Sequence, residues 1–219
     1  MKKINLAAIG IVVCLTYSSF AQTTVIDLHK LVSSKGIEVF NRELSLINEG
    51  SHTGIKLSKA EGEGVAWIKG VEFSSGIIEF DVRGENVKQH SFVGMAFHGK
   101  GNNTFDAIYL RPFQFKEQDQ VLRNRSVQYI ALPEFTWRIL REKSPGKYEG
   151  SIEPSPDPDA WVHIRMVIED STVATYVNGN KKPSLIVEKV NQIKSGSLGF
   201  YVADTSGGDF ANLTITKTK

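Results

Sequence analysis

Glu79 and Asp81 stand two residues apart in the run Glu79-Phe80-Asp81-Val82-Arg83-Gly84-Glu85. Residues i and i+2 of a strand share a face, so this spacing presents both carboxyls on one side. Two carboxyls about 5–5.5 Å apart are the device of retaining glycoside hydrolysis, one acting as nucleophile and the other as acid/base. Glu149 is the third acid assigned to that chemistry. The plainer reading of the same run is a half-buried strand that turns its polar residues to solvent.

A denser group lies between Asp106 and Glu149. Tyr109, Arg111 and Phe113 share one face by period two. Gln128, Tyr129, Trp137, Arg138, Arg141 and Tyr148 follow within loops and short elements. Aromatic rings offer flat apolar faces with polar tips, Arg a planar fork of donors, and Gln or Glu acceptors. Saccharides, with C–H faces and hydroxyl rims, need that mixture. The expected recognition set is His98, Tyr109, Arg111, Gln128, Tyr129, Trp137, Arg141 and Tyr148, with His98 placed on the Tyr109 side of its strand. The competing expectation is that the aromatics fill a core while the charges solvate loops.

Metal chemistry has little to build on. His163 sits between core-facing Val162 and Ile164 and should point outward; His29, His52 and His90 read as loop or edge residues. No two His stand at i, i+4 with a Glu. No cofactor is expected. Calcium is the one alternative, from Asp204 and Asp209 flanking Thr205-Ser206-Gly207-Gly208, but two carboxylates fall short of the six to eight oxygens calcium takes. Those residue types also form turns unaided.

Strands must position these groups. Gly76–Arg83 alternates strictly, with Ile78, Phe80 and Val82 against Ile77, Glu79, Asp81 and Arg83. Trp161–Glu169 alternates in the same way, and Ile37–Ile47, Ser91–His98, Phe105–Phe113, Val127–Leu132, Val173–Val177, Ser197–Val202 and Phe210–Thr216 are β-like runs. The chain reads as about eleven to thirteen short strands, the spacing of an all-β sandwich or barrel. Asn178-Gly179 is the strongest hairpin signal. Only Asp27–Ser33 and Phe135–Lys143 read as short helices. Pro154, Pro156 and Pro158 make Glu153–Asp159 a stiff loop rather than a strand. One domain is expected over residues 22–219.

Several of these stretches resemble the concanavalin A-like lectin/glucanase superfamily, and more narrowly its laminin G-like bacterial secreted members. They are Gly76-Ile77-Ile78-Glu79-Phe80-Asp81-Val82, Ser91-Phe92-Val93-Gly94-Met95-Ala96-Phe97, Tyr109-Leu110-Arg111-Pro112-Phe113, Trp161-Val162-His163-Ile164, Tyr176-Val177-Asn178-Gly179 and Gly196-Ser197-Leu198-Gly199-Phe200-Tyr201. The chain is also similar to domains described as 3-keto-disaccharide hydrolase-like. The resemblance covers about residues 60–216. It implies a two-sheet antiparallel jelly roll, with glycans a common ligand on the concave face. In the family-16 glycosidases of that superfamily three acids alternate along one cleft-facing strand. Glu79 and Asp81 match the first two, Arg83 stands where the third would be, and Glu85 returns to that face only through a bulge at Gly84.

Residues 1–21 read as a secretory leader: Lys2 and Lys3, an apolar run from Leu6 to Leu15, then Ser19-Phe20-Ala21 for cleavage. The run is too short to span a bilayer comfortably. Cys14 raises a lipoprotein alternative, which Val13 disfavours because a small residue is wanted before the Cys. The chain has 219 residues, 41% of them hydrophobic and 23% charged, with net charge +2 and one Cys. Cleavage after Ala21 would remove that Cys and both leading lysines, leaving equal numbers of basic and acidic residues. A neutral chain without phosphate-cradling motifs is not expected to bind nucleic acid. Three functions follow as expectations: a secreted or periplasmic glycan-binding module, a carbohydrate-cleaving enzyme using Glu79, Asp81 and Glu149, or an adhesion module with a flat apolar patch.

Overall fold

The computed structural model describes residues 22–218. The leader reading, including Cys14, falls on residues 1–21 and lies outside the described residues. Among the described residues fifteen strands run in chain order. The first eight are β1 (Gln22–Val25), β2 (Ile37–Phe40), β3 (Leu44–Glu49), β4 (His52–Leu57), β5 (Gly64–Phe73), β6 (Gly76–Arg83), β7 (Val93–Gly101) and β8 (Thr104–Leu110). The rest are β9 (Val127–Leu132), β10 (Glu149–Gly150), β11 (Val162–Ile168), β12 (Thr172–Val177), β13 (Leu185–Glu188), β14 (Gly196–Val202) and β15 (Gly208–Lys217). The helices are α1 (Leu28–Ser33), α2 (Gln120–Arg123) and α3 (Trp137–Lys143), with a 3-10 turn at Pro112–Gln114. The sequence misses α2 and the 3-10 turn because each is too short to show a helical period. Asp119 caps α2 by accepting the Val121 amide at 2.8 Å.

The strands form the expected two-sheet antiparallel sandwich. One sheet has the order β13-β12-β11-β6-β15-β4-β3, with β1 added along β15. The other is β10-β9-β8-β7-β14-β5-β2. Strict alternation in β6 and β11 buries Ile78, Phe80, Val82, Val162, Ile164, Met166 and Ile168 and leaves the intervening residues part-exposed. From the facing sheet Phe200 meets Phe80 edge-on at 6.2 Å and Phe210 at 4.8 Å. The core therefore sits between the sheets.

Two local expectations change. The single run Ile37–Ile47 divides into β2 and β3, which belong to different sheets. The chain crosses between them at Asn41-Arg42, where Asn41 takes φ 52° and buried Arg42 donates to the carbonyls of Asn41, Gly62, Ala203 and Ser206. Asn178-Gly179 does form a turn, with φ 51° and 70° and the Asn180 amide bonded to the Val177 carbonyl at 3.1 Å. It is not a two-residue hairpin, because Lys181-Lys182-Pro183 extend the connection before β13. Among the described residues no helix is long and apolar enough to cross a membrane.

Candidate functional site

The outer face of the seven-stranded sheet carries a pocket of about 490 Å3. Its floor comes from β8, β9 and β14. Tyr109 pairs across the ladder with Gly94 of β7, and Gly94 pairs with Tyr201 of β14. A Cβ on Gly94 would sit 2.0 Å from the Ile108 carbonyl oxygen. Only glycine fits there, and its missing side chain lets the Tyr109 and Tyr201 rings lie 5.8 Å apart. Ile130 and Leu132 continue the floor on β9.

The walls are polarised. On one side Arg111, Arg125 and Arg141 come from the end of β8, the loop after α2, and α3. Trp137 and Arg141 stand at i, i+4 on α3, which Thr136 caps and buried Leu140 anchors. The Arg141 guanidinium lies 4.9 Å over the Trp137 ring. Opposite, Glu63 precedes β5 and Asp204 follows β14. Glu63 accepts the Tyr201 hydroxyl, and burial raises its carboxyl above the ordinary range. Burial likewise raises both tyrosine hydroxyls. Phe92, in edge contact with Phe113 at 5.6 Å, closes the rim with Lys88 and Gln89. A saccharide in this space would meet ring faces, guanidinium donors and carboxyl acceptors, within the size range of small-molecule sites.

Tyr109, Arg111, Trp137 and Arg141 from the recognition set thus meet at one pocket. Gln128 lies beneath it, accepting Arg111 Nη2 at 3.0 Å while donating to the carbonyls of Tyr129 and Tyr148. Three members need correction. His98 does not share the Tyr109 side: a bulge in β7 gives it φ 54°, and it turns inward against Phe73 and Phe97, bonded to the Ser74 carbonyl at 2.7 Å. Tyr129 is one residue out of phase with Gln128, so it is buried between the sheets. Tyr148 packs on Tyr129 at 5.9 Å and does not line the pocket.

The three acids assigned to hydrolysis do not come together. Glu79 and Asp81 face outward from the eight-stranded sheet, where Asp81 accepts from His163 Nδ1 at 2.7 Å and from Asn212 at 2.6 Å. Burial raises the Asp81 carboxyl, but its His163 and Asn212 hydrogen bonds outweigh that and hold it below the ordinary range. Arg83 on the same face is held by Asp209 and Glu49. Glu149 belongs to the other sheet, paired with Gln128, and so lies on the opposite outer face of the sandwich. Glu79 and Asp81 keep the shared face that their spacing predicts, bordering His163 at 3.7 and 2.7 Å, but they do not line the pocket and Glu149 is not with them.

Glu149 instead positions the pocket wall. It accepts Arg141 Nε at 3.1 Å and Nη2 at 2.7 Å, and lies 3.5 Å from Arg125 Nε. Its side chain is only 8% exposed. Glu149→Gln would leave two guanidiniums facing a neutral amide, and both arginines are partly solvated, so the expected cost is about 1–2 kcal/mol. Urea denaturation checks this; an unchanged midpoint would show that the carboxylate does not hold the pair.

The proposed calcium loop also separates. Asp204 accepts the Gly62 amide at 2.7 Å beside the pocket, while Asp209 is engaged by Arg83 on the other sheet. Among the described residues no group of three or more His, Cys, Asp or Glu is arranged to hold a metal ion. The flat apolar patch of an adhesion module is not seen among the described residues, whose large exposed hydrophobics are Val25, Leu46, Val87, Val121, Trp137 and Ile186, from separate elements. Sequence reasoning missed Glu63, Phe92, Arg125 and Tyr201. Tyr201 was legible as one phase of an alternating strand; the others sit in loops with no periodic signal.

No protein-family model matches the sequence, and no curated protein does. Solved structures do match. The carbohydrate-binding module CBM66 from Bacillus subtilis is 11% identical, covering 82% of this chain and 95% of that one, with a TM-score of 0.57. A Bacillus subtilis protein of unknown function with a galectin-like fold is 15% identical, covering 84% and 90%, with a TM-score of 0.55. The exoplasmic/lumenal domain of VIP36, bound to Ca2+ and Man3GlcNAc, is 9% identical, covering 84% of each chain, with a TM-score of 0.54. The fold is therefore that of the concanavalin A-like, galectin-like β-sandwiches.

Proposed function

We propose that this protein binds carbohydrate in the pocket on the outer face of its seven-stranded sheet, the surface expected to be concave. The observation that carries the reading is convergence. Tyr109, Arg111, Trp137 and Arg141 come from a strand, the residue after it and a separate helix, and all four line one pocket. Aromatic faces beside donors and acceptors match the two surfaces of a sugar ring. The fold supports the reading, since one similar structure is a carbohydrate-binding module and another holds Man3GlcNAc. The leader pattern of residues 1–21 supports export from the cytoplasm, and we propose that the protein works outside it as a secreted or periplasmic module.

Trp137 is the cleanest probe because it is 40% exposed and little of the core depends on it. Calorimetric titration against a panel of neutral and acidic oligosaccharides should give binding to at least one. Trp137→Ala should weaken that binding about tenfold through loss of ring stacking. Its melting temperature should stay near that of the parent. Equal affinity in the variant, or no saccharide bound by the parent, would remove the basis for this reading.

A further inference from the structure

We propose that the ligand of this pocket is an acidic saccharide whose carboxylate sits against Arg111, an assignment that rests on the carbohydrate reading above. The argument begins with an uncompensated charge. Arg111 lines the pocket, yet its side chain is almost wholly buried at 4% exposure. It donates from Nη1 to the Arg125 carbonyl at 2.8 Å, and from Nη2 to the Tyr109 hydroxyl at 2.9 Å and Gln128 Oε1 at 3.0 Å. All three acceptors are neutral. A guanidinium has five N–H donors, so Nε–H and one Nη1–H are left over. Among the described residues no carboxylate lies within 4.0 Å of it.

The other arginines of the described residues differ, being paired with a carboxylate, spent on backbone carbonyls or, in Arg138, exposed to solvent. Arg83 is paired with Asp209 and Glu49, Arg141 and Arg125 with Glu149, Arg165 with Glu79, and Arg123 reaches Glu153. Arg42 is buried without a carboxylate partner, but it spends its donors on four backbone carbonyls and does not line the pocket. A buried cation without a counter-ion is costly, and the usual remedy is an anion. Glu149 cannot supply it, being occupied by Arg141 and Arg125. Arg125 lines the same wall, but its Nε faces Glu149 at 3.5 Å, which leaves Arg111 as the arginine of that wall without a carboxylate.

The opposite wall says what the rest of the ligand looks like. Glu63 and Asp204 accept hydrogen bonds and would repel a second negative group placed near them. Tyr109 and Tyr201 lie between the two walls. A ligand with one carboxylate at the arginine end, an apolar ring face over the tyrosines and free hydroxyls at the acidic end fits this order. A uronic acid residue has those three parts.

The test is an array of uronate-containing, sulfated and neutral oligosaccharides, followed by calorimetry on the best uronate ligand and its carboxyl-reduced neutral counterpart. The reduced ligand should bind about tenfold to a hundredfold more weakly, the loss expected for a charge-assisted hydrogen bond. Arg111→Gln should erase the difference between the two, whereas Trp137→Ala should weaken both alike. Because Arg111 is buried, its variant could fail to fold. The parent then decides: uronate affinity should fall several-fold between about 50 and 500 mM salt while neutral affinity holds. A neutral ligand bound as tightly as its acidic partner overturns the proposal and leaves the carbohydrate reading standing. Preference for sulfate over uronate overturns the carboxylate assignment. Failure to bind any saccharide overturns both readings.

Discussion

Phe200→Ala is expected to lower the unfolding free energy by about 3–5 kcal/mol. Phe200 is fully buried on β14, and it reaches across the sandwich to Phe80 and Phe210 of the facing sheet. Truncation removes its own transfer free energy and leaves a cavity between two sheets that cannot close independently. Their spacing is held by the neighbouring pairs Ile78, Val82, Met95 and Phe97, all of them buried. Typical proteins have only about 5–15 kcal/mol to lose, so the melting temperature should drop by roughly 10 °C or more. Urea denaturation measures it directly. Saccharide affinity of the folded variant should be nearly unchanged, because Phe200 points away from the face that carries Tyr201. A cost under 1 kcal/mol would mean that the ring does not bridge the sheets.

Asp106→Asn is expected to make stability depend differently on pH. Asp106 is buried with no exposure, accepts from Asn191, and keeps Oδ2 without a partner 4.0 Å from His98 Nδ1. Tyr129 and Lys189 are the other titratable groups facing it. Burial pushes the Asp106 carboxyl up to about 7 and His98 down to about 4. The His98 Nε2–H is taken by the Ser74 carbonyl, which leaves Nδ1 as an acceptor. At intermediate pH the folded state therefore holds a neutral acid beside a neutral imidazole.

The two groups pull stability in opposite directions. The unfolded carboxyl ionises near its ordinary pKa of about 3.9, so stability from Asp106 is full below that and is lost as pH rises to about 7. His98 has a depressed pKa, so its contribution is full above about 6.5 and is lost as pH falls toward 4. Parent stability alone mixes these slopes. The difference between Asp106→Asn and the parent isolates the acid, since an amide donates as the protonated carboxyl does but never ionises. That difference should be small at pH 4, grow in the variant's favour to about 2–4 kcal/mol by pH 7, and stay flat above. Denaturation midpoints from pH 4 to 9 check it. A difference independent of pH would show that Asp106 ionises normally.

Alternation made β6 and β11 legible, because each has one apolar face and one polar face. The same period placed His163 outward, where it bonds to Asp81. It could not place His98 or Tyr129. In β8 and β9 nearly every residue is buried, and each strand carries large apolar side chains on both faces, so the period carries no label for which one looks into the core. The β7 bulge then reverses the phase at His98 itself. The gathering of Tyr109, Arg111, Trp137 and Arg141 was readable because they lie within one segment that had to stay local. Glu63, Phe92 and Tyr201 come to the same pocket from distant parts of the chain, and only the pairing of β5, β14, β7 and β8 brings them there.

By itself the sequence determined an all-β chain of short strands, the polar and apolar sides of its amphipathic strands, and the segment rich in recognition chemistry. These follow from local periodicity and residue type, while the two-sheet antiparallel form came from the family resemblance. The tertiary structure decided which sheet each strand joined, and so put Glu79 and Asp81 on one outer face and Glu149 on the other. It decided which face of each doubly buried strand looked outward, and it left Arg111 buried in a pocket wall without a counter-ion. Those outcomes depend on contacts between residues far apart in the chain, where sequence spacing carries no information about distance.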